Sequence, residues 1–423
     1  MLFDESVFDE IEGVGRISMI QVEIYVFQAG EGDSFLVTVK DGKKEINLLI
    51  DCGNYVTYQQ YIRKKLLNMA QNGKMIDYLI LTHVHSDHIG GAIPLLKENG
   101  SSDDANVIPI RNVLYNGFLG LKLQHYQEQA CDDREKLIYQ GICAQRAAAL
   151  SKCLRGKRIT LQEELCISKL LLDGRYNWNG GCGAWPEKVI INQSDQIEIG
   201  EHISIRFVSP GLNQLVAMNQ EWEKYLERMN RRIDLKDNSL IRSAYESFQY
   251  ILNEKEYEEI AQKIAQPSSD KEGIEKLADS RISYDYTYEN SSSIAFLLQV
   301  GEKRMLFLGD ANIGVCQKIL REWYGNEEME MDFIKLSHHG SERNLSKNFL
   351  RRFGSKNYLI SAGTGNKRPS KRTLALLFSE HPERSKKIFI TNRNEHILWM
   401  DQEKIHQYYD FEFIDIAGQS IRI

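Results

Sequence analysis

The sequence predicts an α/β protein, and three observations support that class. Strand-like segments occupy the first part of the chain, a helix and a buried strand follow, and a strand pattern returns after Tyr288. The strand-like segments are short runs of β-branched and aromatic residues between glycines, whereas the intervening stretches carry apolar residues at helical spacing. Ligands of such sheets gather at the carboxyl ends of the strands.

The amino-terminal elements can be assigned in order. Three strands are predicted in "ISMIQVEIYVFQAG", "SFLVTVK" and "EINLLIDCG", at 17–30, 34–40 and 45–53. Helical spacing in "QQYIRKKLLNMAQNG" predicts a helix that ends before Gly73, because glycine favours the position just past a helix end. A buried strand, "MIDYLILTH", and a helix opened by "IGGAIPLLKENG" follow.

The middle of the chain is charged and predicted to be mainly helical. The helical stretches cover about 119–175 and 212–286, with a loop at "QPSSDKEG" and short strands at "KVIINQ" and "ISIRFVSPG". Five more strands follow, in "SSSIAFLLQV", "KRMLFLGD", "MDFIKLSHHGS", "KNYLISAG" and "KKIFITN". A sheet pattern that stops and resumes predicts one domain over 18–423 after a tail at 1–17, interrupted by helical insertions at about 119–186 and 212–286.

Composition narrows the class of protein. The 423 residues include 53 basic and 59 acidic side chains, and the net charge of −6 argues against a surface coated in positive charge for non-specific nucleic-acid binding. Seven cysteines without a Cys-x-x-Cys pair are typical of reduced thiols in a cytosolic protein. The acidic amino terminus has no apolar stretch of signal-peptide length, so we expect a soluble cytoplasmic protein without membrane contact.

The segment "LILTHVHSDHIGG" at 79–91 predicts a metal site. His83, His85, Asp87 and His88 follow an apolar strand, where a turn can direct all four side chains into one pocket. Imidazole and carboxylate are ligands of zinc, manganese or iron, so one pair can hold one ion and the Asp-His pair a second. A single histidine is usually an ordinary residue, but four ligand-type residues in this order favour metal binding.

Later motifs extend this site. Asp310 ends the strand "KRMLFLGD", where a carboxylate between two cations would offset their repulsion, although a plain turn residue is the alternative. His338 and His339 leave their strand together, so one can complete the metal shell while the other meets substrate. Asp33 in "GEGDS" is either a turn residue or a support for the ligands.

These motifs resemble the metallo-β-lactamase superfamily. "THVHSDHIGG", "INLLIDCG", "MLFLGD" and "IKLSHHGS" carry the resemblance over roughly 20–115, 188–211 and 287–400, and "QAGEGDSFLV", "NSSSIAFLLQV" and "SAGTGN" are most similar to the ComEC-type competence hydrolases and their soluble relatives. The resemblance implies a four-layer αββα sandwich with two divalent ions, Zn²⁺ or Mn²⁺, at one edge. It implies ligand roles for His83, His85, Asp87, His88, Asp310 and His339, a substrate contact by His338, and support of the ligands by Asp33 and Asp51.

Two departures from the superfamily pattern affect the expected site. The turn "FVSPG" places Val208 where a third histidine usually stands, and His202 lies six residues upstream, about 20 Å away along a strand. The two ions are therefore expected to bind unequally. In "SAGTGNKRPS", Lys367 and Arg368 replace a histidine-containing stretch and would favour a phosphate, although a solvated basic turn is the alternative.

The expected function is a metal-dependent hydrolase, most simply a phosphodiesterase or nuclease in which a metal-bound hydroxide attacks a phosphodiester. Asp87 and His338 are the catalytic candidates, and Ser341, Asn366, Lys367 and Arg368 are candidates for binding a nucleic acid or nucleotide. One alternative is a carboxyl-ester, thioester or lactam hydrolase. Another is a metal-containing interaction subunit with vestigial catalysis, whose helical insertions contact a protein partner.

The segment "RYNWNGGCGAW" at 175–185 has two interpretations. Its aromatic and glycine content would suit a mobile rim that stacks a base over the pocket. It would equally suit a hydrophobic plug that tethers the first insertion to the sheet. The burial of Trp178 distinguishes the two.

Overall fold

The computed structural model describes residues 20–42, 44–117, 160–181, 189–192, 196–230, 268–363 and 367–423. The expected tail at 1–17, most of the first insertion, the middle of the second insertion and Asn366 lie outside these ranges. The boundary of the single domain stays a prediction. The α/β class and the sandwich architecture are confirmed.

One sheet contains the amino-terminal strands. These are β1 (Gln21–Val26), β2 (Phe35–Asp41), β3 (Lys44–Ile50), β4 (Ile76–Leu81) and β5 (Ile110–Tyr115). The carboxyl-terminal strand β14 (Gln419–Arg422) joins them in the order β14-β1-β2-β3-β4-β5. Strands β3, β4 and β5 run parallel, whereas the pairs on the other side of β3 are antiparallel.

The other sheet contains the later strands. These are β6 (Gln196–Gly200), β7 (Ile203–Ser209), β8 (Ala295–Val300), β9 (Lys303–Phe307), β10 (Phe333–Lys335), β11 (Asn357–Ile360), β12 (Lys386–Ile390) and β13 (Phe411–Asp415). They lie in reverse sequence order, from β13 to β6. Strands β9 to β13 run parallel, so their carboxyl ends meet at one edge.

Helices cover the outer face of each sheet. On the first sheet lie α1 (Tyr55–Thr57), a π-helical turn (Tyr58–Ile62), α2 (Arg63–Gln71), α3 (Ser86–Ile89), α4 (Ala92–Asn99), α5 (Thr160–Asp173) and α6 (Leu212–Asn230). On the second lie α7 (Lys271–Ala278), α9 (Ile313–Tyr324), α10 (Lys347–Phe353), α11 (Lys371–Ser379), α12 (Glu395–Met400) and α13 (Glu403–His406), and the short α8 (Tyr288–Ser291) precedes β8.

The inner faces of the two sheets share one apolar core. Val22, Ile24 and Val26 of β1 alternate toward it, and Phe296 and Leu298 of β8 meet it from the other sheet. A second core lies between the first sheet and its helices, and a third core lies between the second sheet and its helices. Because side chains alternate faces along a strand, each sheet can serve two cores, and the result is a four-layer αββα sandwich.

Three details of the sequence prediction are wrong. The segment expected as the strand "KVIINQ" is not a strand at Val189–Asn192, since the Asn116 amide takes both backbone groups of Ile190, accepting at 2.7 Å and donating at 2.8 Å. A loop was expected at 266–273, but its last three residues belong to α7. The Asp270 carboxylate caps this helix by accepting from Gly273 N. Strands β5, β6, β13 and β14 were not predicted.

The described part of the first insertion packs against the first sheet. Trp178 is fully buried, and its indole Nε1 donates to the Tyr115 carbonyl at 2.8 Å. Asn177 and Asn179 exchange backbone hydrogen bonds with Val113, so the segment lies beside β5. The plug interpretation is therefore correct at Trp178, and the rim interpretation is wrong there.

Trp178→Ala is expected to destabilise the fold by about 3–5 kcal/mol, because it opens a large cavity and leaves the Tyr115 carbonyl without its indole donor. Denaturant unfolding measures this change. Tyr408→Ala is the control, since Tyr408 is 41% exposed and its truncation should change stability by less than about 0.5 kcal/mol. An unchanged melting temperature with weakened substrate binding would contradict the plug.

Candidate metal centre

The candidate ligands gather where strands of both sheets end. His83 follows β4, Asp310 follows β9, and His338 and His339 follow β10. The backbone joins the two sheets at this edge, since Ile294 N donates to the Thr82 carbonyl at 2.8 Å. Parallel strands direct their carboxyl ends to the same side, so segments far apart in sequence converge here.

One ligand group contains His83, His85 and Asp310. The His83 Nε2 atom lies 3.2 Å from His85 Nδ1 and 3.6 Å from Asp310 Oδ2. The three ligand atoms lie within 4.8 Å of one another. Val208, which stands at the position of the superfamily's third histidine, is fully buried in an apolar core, and His202 is exposed in the turn before β7.

A second group contains Asp87, His88 and His339. His339 Nε2 lies 3.3 Å from Asp87 Oδ2, and His88 Nε2 lies 4.0 Å from the same oxygen. Asp310 reaches this group too, because its Oδ1 lies 3.4 Å from His88 Nε2. The Asp310 carboxylate therefore lies between the two groups, with Oδ2 near His83 and Oδ1 near His88.

The donor geometry fits divalent cations. Two ligand atoms about 2.1 Å from a tetrahedral ion are roughly 3.4 Å apart, which is close to the separations within both groups. His88 Nε2, His339 Nε2 and Asp310 Oδ1 are buried and have no hydrogen-bond partner among the residues that the structure describes. Buried polar atoms are normally paired, so orphan atoms that face one another indicate a ligand that completes them.

Asp51 fixes the orientation of His88. The Asp51 carboxylate accepts from Thr82 N at 2.8 Å and from Thr82 Oγ1 at 2.7 Å, and it lies 2.7 Å from His88 Nδ1. The His88 Nε2 atom is thereby directed at Asp310. Burial would lower the pKa of His88, but the Asp310 and Asp51 carboxylates raise it to about 10, which shows how much negative charge surrounds this ring.

His339 is held from behind in the same way. Its Nδ1–H donates to the Ser361 carbonyl at 2.8 Å, which leaves Nε2 for the second ligand group. The sequence motifs leave open which of His338 and His339 is the ligand, and the geometry groups His339 with the ligands. Asp33 lies behind this ring and forms a buried ion pair with Lys335.

His338 has different partners. Its Nδ1 lies 3.1 Å from Asp285 Oδ2, and the Asn344 amide oxygen is 3.2 Å away. Its Nε2 lies 3.6 Å from Asp310 Oδ2. Burial lowers the pKa of His338 below its ordinary value, the Asp310 and Asp285 carboxylates oppose that shift, and Arg368 adds to it.

Sequence reasoning missed Asp285. Its carboxylate is buried, and it accepts from Thr287 N at 3.0 Å and from Asn290 Nδ2 at 2.8 Å. Although burial opposes the effect, contact with His338 lowers the pKa of Asp285 below its ordinary range. The residue stands in a stretch that looked like the end of an insertion, and no motif distinguished it from the other charged residues there.

Sequence reasoning also missed Glu163 on α5. Ser86 Oγ donates to Glu163 Oε1 at 2.8 Å, next to the ligand Asp87. Burial raises the pKa of Glu163 to about 7, against the Ser86 hydrogen bond, and the Asp87 carboxylate adds to the rise. The first insertion thus supplies a wall of the site.

The expected substrate residues lie at different depths. Lys367 is exposed and Arg368 is half-buried near His338. The Ser341 hydroxyl accepts from Arg343 N at 3.3 Å, so it caps the turn that follows the histidines. Asn366 lies outside the described residues.

Glycine is required at two close approaches beside the ligands. A Cβ atom on Gly91 would overlap the Cys52 carbonyl, and one on Gly32 would overlap the Asp87 carbonyl. The absence of a side chain at Gly91 therefore allows close backbone packing at the start of α4.

Residues 28–111 match the model of the metallo-beta-lactamase superfamily. The matched part contains the His83–His88 motif and Asp51. Together with the fold and the ligand groups, it supports the general expectation of a metal-dependent hydrolase. The finer similarity to ComEC-type proteins stays a prediction.

No curated protein matches the sequence. Among solved structures, a single-residue mutant of CmlA beta-hydroxylase aligns at 10% identity with a TM-score of 0.32, over 96% of this chain and 54% of its own. The chain therefore spans about half the length of CmlA. A protein of unknown function from Enterococcus faecalis V583 aligns at 8% identity with a TM-score of 0.27, over 93% of this chain and 76% of its own.

In the described ranges, no helix has both the length and the apolar composition to cross a bilayer.

Asp87→Ala is expected to remove an ion from the second ligand group and to abolish hydrolysis while the protein stays folded. The reason is that the Asp87 side chain is 38% exposed and contributes a ligand atom rather than core packing. Elemental analysis and circular dichroism test both parts. Asp103→Ala, at an exposed position, is the control; wild-type activity and metal content in Asp87→Ala would contradict the site.

The two ligand groups are expected to hold ions unequally. The first offers His83, His85 and one Asp310 oxygen, whereas the second offers Asp87, His88, His339 and the other Asp310 oxygen. A group with fewer protein ligands should release its ion first to a mild chelator, and activity should fall with that loss and return with Mn²⁺ or Zn²⁺. Equal retention, measured by elemental analysis during a chelator titration, would mean that His338 joins the first group; His338→Ala would then lower metal content.

Proposed function

We propose that this chain is a metal-dependent phosphodiesterase that uses two divalent ions and the His338 imidazole. The observation that supports it best is the position of Asp310, whose two oxygens face two ligand groups while His338 faces the same carboxylate. When bound, a pair of divalent ions lowers the pKa of a coordinated water and stabilises charge on phosphoryl oxygens.

His338 is suited to proton transfer. Because its Nδ1–H donates to Asp285, the Nε2 atom of a neutral ring is an acceptor directed into the site. Burial and Arg368 lower its pKa and favour that neutral form. The His338 Nε2 atom can therefore accept a proton from the attacking water or, once protonated, return it to the leaving oxygen.

The charges around His338 favour an anionic substrate. Arg368 is close enough to lower the pKa of His338, and the exposed Lys367 is its neighbour in the chain, although the whole chain carries a net charge of −6. A phosphodiester keeps a negative charge that these cations attract, whereas an uncharged carboxyl ester or lactam gains nothing from them before reaction. A nucleotide or nucleic acid is the proposed source of the phosphodiester.

A parallel assay tests this function. Metal-reconstituted protein is offered bis(p-nitrophenyl) phosphate, single-stranded DNA, RNA and cyclic nucleotides beside p-nitrophenyl acetate, a thioester and a lactam. We expect turnover of phosphodiesters that a chelator abolishes. Turnover confined to the carboxyl substrates would overturn the proposal, and so would tight binding of a partner protein by a metal-loaded but inactive chain.

Asp285→Asn is expected to lower kcat roughly 100-fold at unchanged metal content, because an amide at this position no longer selects the tautomer with Nε2 as acceptor. The pH dependence of kcat should shift as well, which a purely structural role would not cause. Asp401→Asn is the matched control, since Asp401 holds another imidazole, His406 Nε2, at 2.9 Å near the surface. A wild-type kcat and pH profile in Asp285→Asn would remove His338 from the mechanism.

A further inference from the structure

We propose that Lys335 is an internal counter-cation that holds Asp33 away from the metal ligands and thereby positions His88 and His339. The inference rests on the metal centre of the proposed function, but it does not depend on the substrate. Lys335 and Asp33 would be positioning residues, since neither is required to touch an ion or the reacting atoms.

Lys335 is an unusual residue to bury. It is the last residue of β10, is only 1% exposed, and its ammonium contacts the Asp33 carboxylate, which is equally buried. The ammonium also donates to the Gly309 carbonyl at 3.2 Å, next to Asp310. Lysine is almost never fully buried unless it is paired, so Lys335 needs the Asp33 carboxylate at this position beside the metal ligands.

Asp33 lies behind the rings of two ligands. Its Oδ1 is 3.4 Å from His339 Nδ1, and its Oδ2 is 3.8 Å from His88 Nδ1. Both ring atoms have closer partners, the Ser361 carbonyl at 2.8 Å and the Asp51 carboxylate at 2.7 Å. Asp33 is thus a competing acceptor for both Nδ1–H donors.

Lys335 removes that competition. Its ammonium forms a buried ion pair with the Asp33 carboxylate and neutralises the charge behind the two rings. The His339 and His88 donors can then keep the partners that direct both Nε2 atoms forward. Without Lys335, a charged Asp33 would draw an Nδ1–H and rotate a ring.

Asp33 could also compete for the cation itself. One of its oxygens, a His88 nitrogen and an Asp310 oxygen lie within 4.8 Å of one another, which makes a third candidate group that overlaps the other two. Because Lys335 already supplies a positive charge there, this group has less affinity for a divalent ion. The geometry therefore indicates that Asp33 pairs with Lys335, so that His88 and Asp310 remain available to the two ions.

Charge-deleting variants test the proposal. The set contains Lys335→Met, which keeps the length of the side chain, and the double variant Lys335→Met/Asp33→Asn, which also removes the competing charge. Lys386→Met is the control, because Lys386 is a second buried lysine whose ammonium donates to the His381 carbonyl at 2.7 Å in another part of the fold. Calorimetric titration of each metal-free protein with Zn²⁺ measures affinity, and thermal unfolding measures stability.

Lys335→Met is expected to lose about 10–100-fold in Zn²⁺ affinity, the range typical of residues that orient metal ligands. The double variant should regain most of that affinity, and Lys386→Met should lose stability only. Equal loss in the single and double variants, or wild-type affinity in Lys335→Met, would overturn the proposal. If Lys335→Met does not fold, the double variant decides: near-wild-type Zn²⁺ affinity supports the proposal, and weak binding overturns it.

The result can be separated from the fate of the proposed function. A wild-type chain that binds two ions but cleaves no phosphodiester would refute the activity and leave this test intact. A variant series that shows no coupling between Lys335 and Asp33, in a chain that does cleave phosphodiesters, would refute the inference alone.

Discussion

The burial of carboxylates at one edge of the sandwich is the constraint on which the rest of the site depends. Asp33, Asp51 and Asp310 are each almost completely inaccessible to solvent. A buried carboxylate is costly unless it is paired and hydrogen-bonded, so each of these groups needs a dedicated partner. Lys335 serves Asp33, Thr82 and His88 serve Asp51, and imidazoles surround Asp310.

This constraint links the site to the packing of the two sheets. The first ligand group takes its histidines from the segment after β4 and its carboxylate from the segment after β9, so neither sheet can form it alone. The shared core sets the separation of the sheets, and Ser361 Oγ, which donates to the Gly32 carbonyl at 2.6 Å, joins them at the edge itself. Ligand distances near 3.4 Å therefore depend on apolar contacts far from the ligands, because close-packed interiors transmit displacements.

Local patterns in the sequence predict part of this arrangement well. Runs of β-branched and aromatic residues between glycines identify most strands, and the spacing of His83, His85, Asp87 and His88 after an apolar strand identifies a metal site. Asp285, Glu163 and Lys335 could not be found in that way, because their roles come from contacts across long sequence separations. Asp285 lies 53 residues from His338, and Glu163 lies 77 residues from Ser86. The irregular backbone at Val189–Asn192 was mistaken for a strand for the same reason, since a distant amide, Asn116, takes its hydrogen bonds.

The contrast between His338 and His339 shows how adjacent residues acquire separate roles. Both have left-handed backbones, with φ of 49° and 55°, and Gly340 continues the turn with φ of 78°. A left-handed conformation costs roughly 1–2 kcal/mol for a residue other than glycine, so the turn needs compensation. That compensation comes from His338 N, which donates to the Gly309 carbonyl at 3.0 Å, and from the separate partners of the two rings, Asp285 and the Ser361 carbonyl.

An extended strand would also send neighbouring side chains apart, but to opposite faces of the sheet. The left-handed turn instead keeps both Nε2 atoms within 4.0 Å of the same Asp310 oxygen while each Nδ1 is held from a different side. Backbone strain at the turn is thus what lets one imidazole join the ligands and its neighbour remain free for proton transfer.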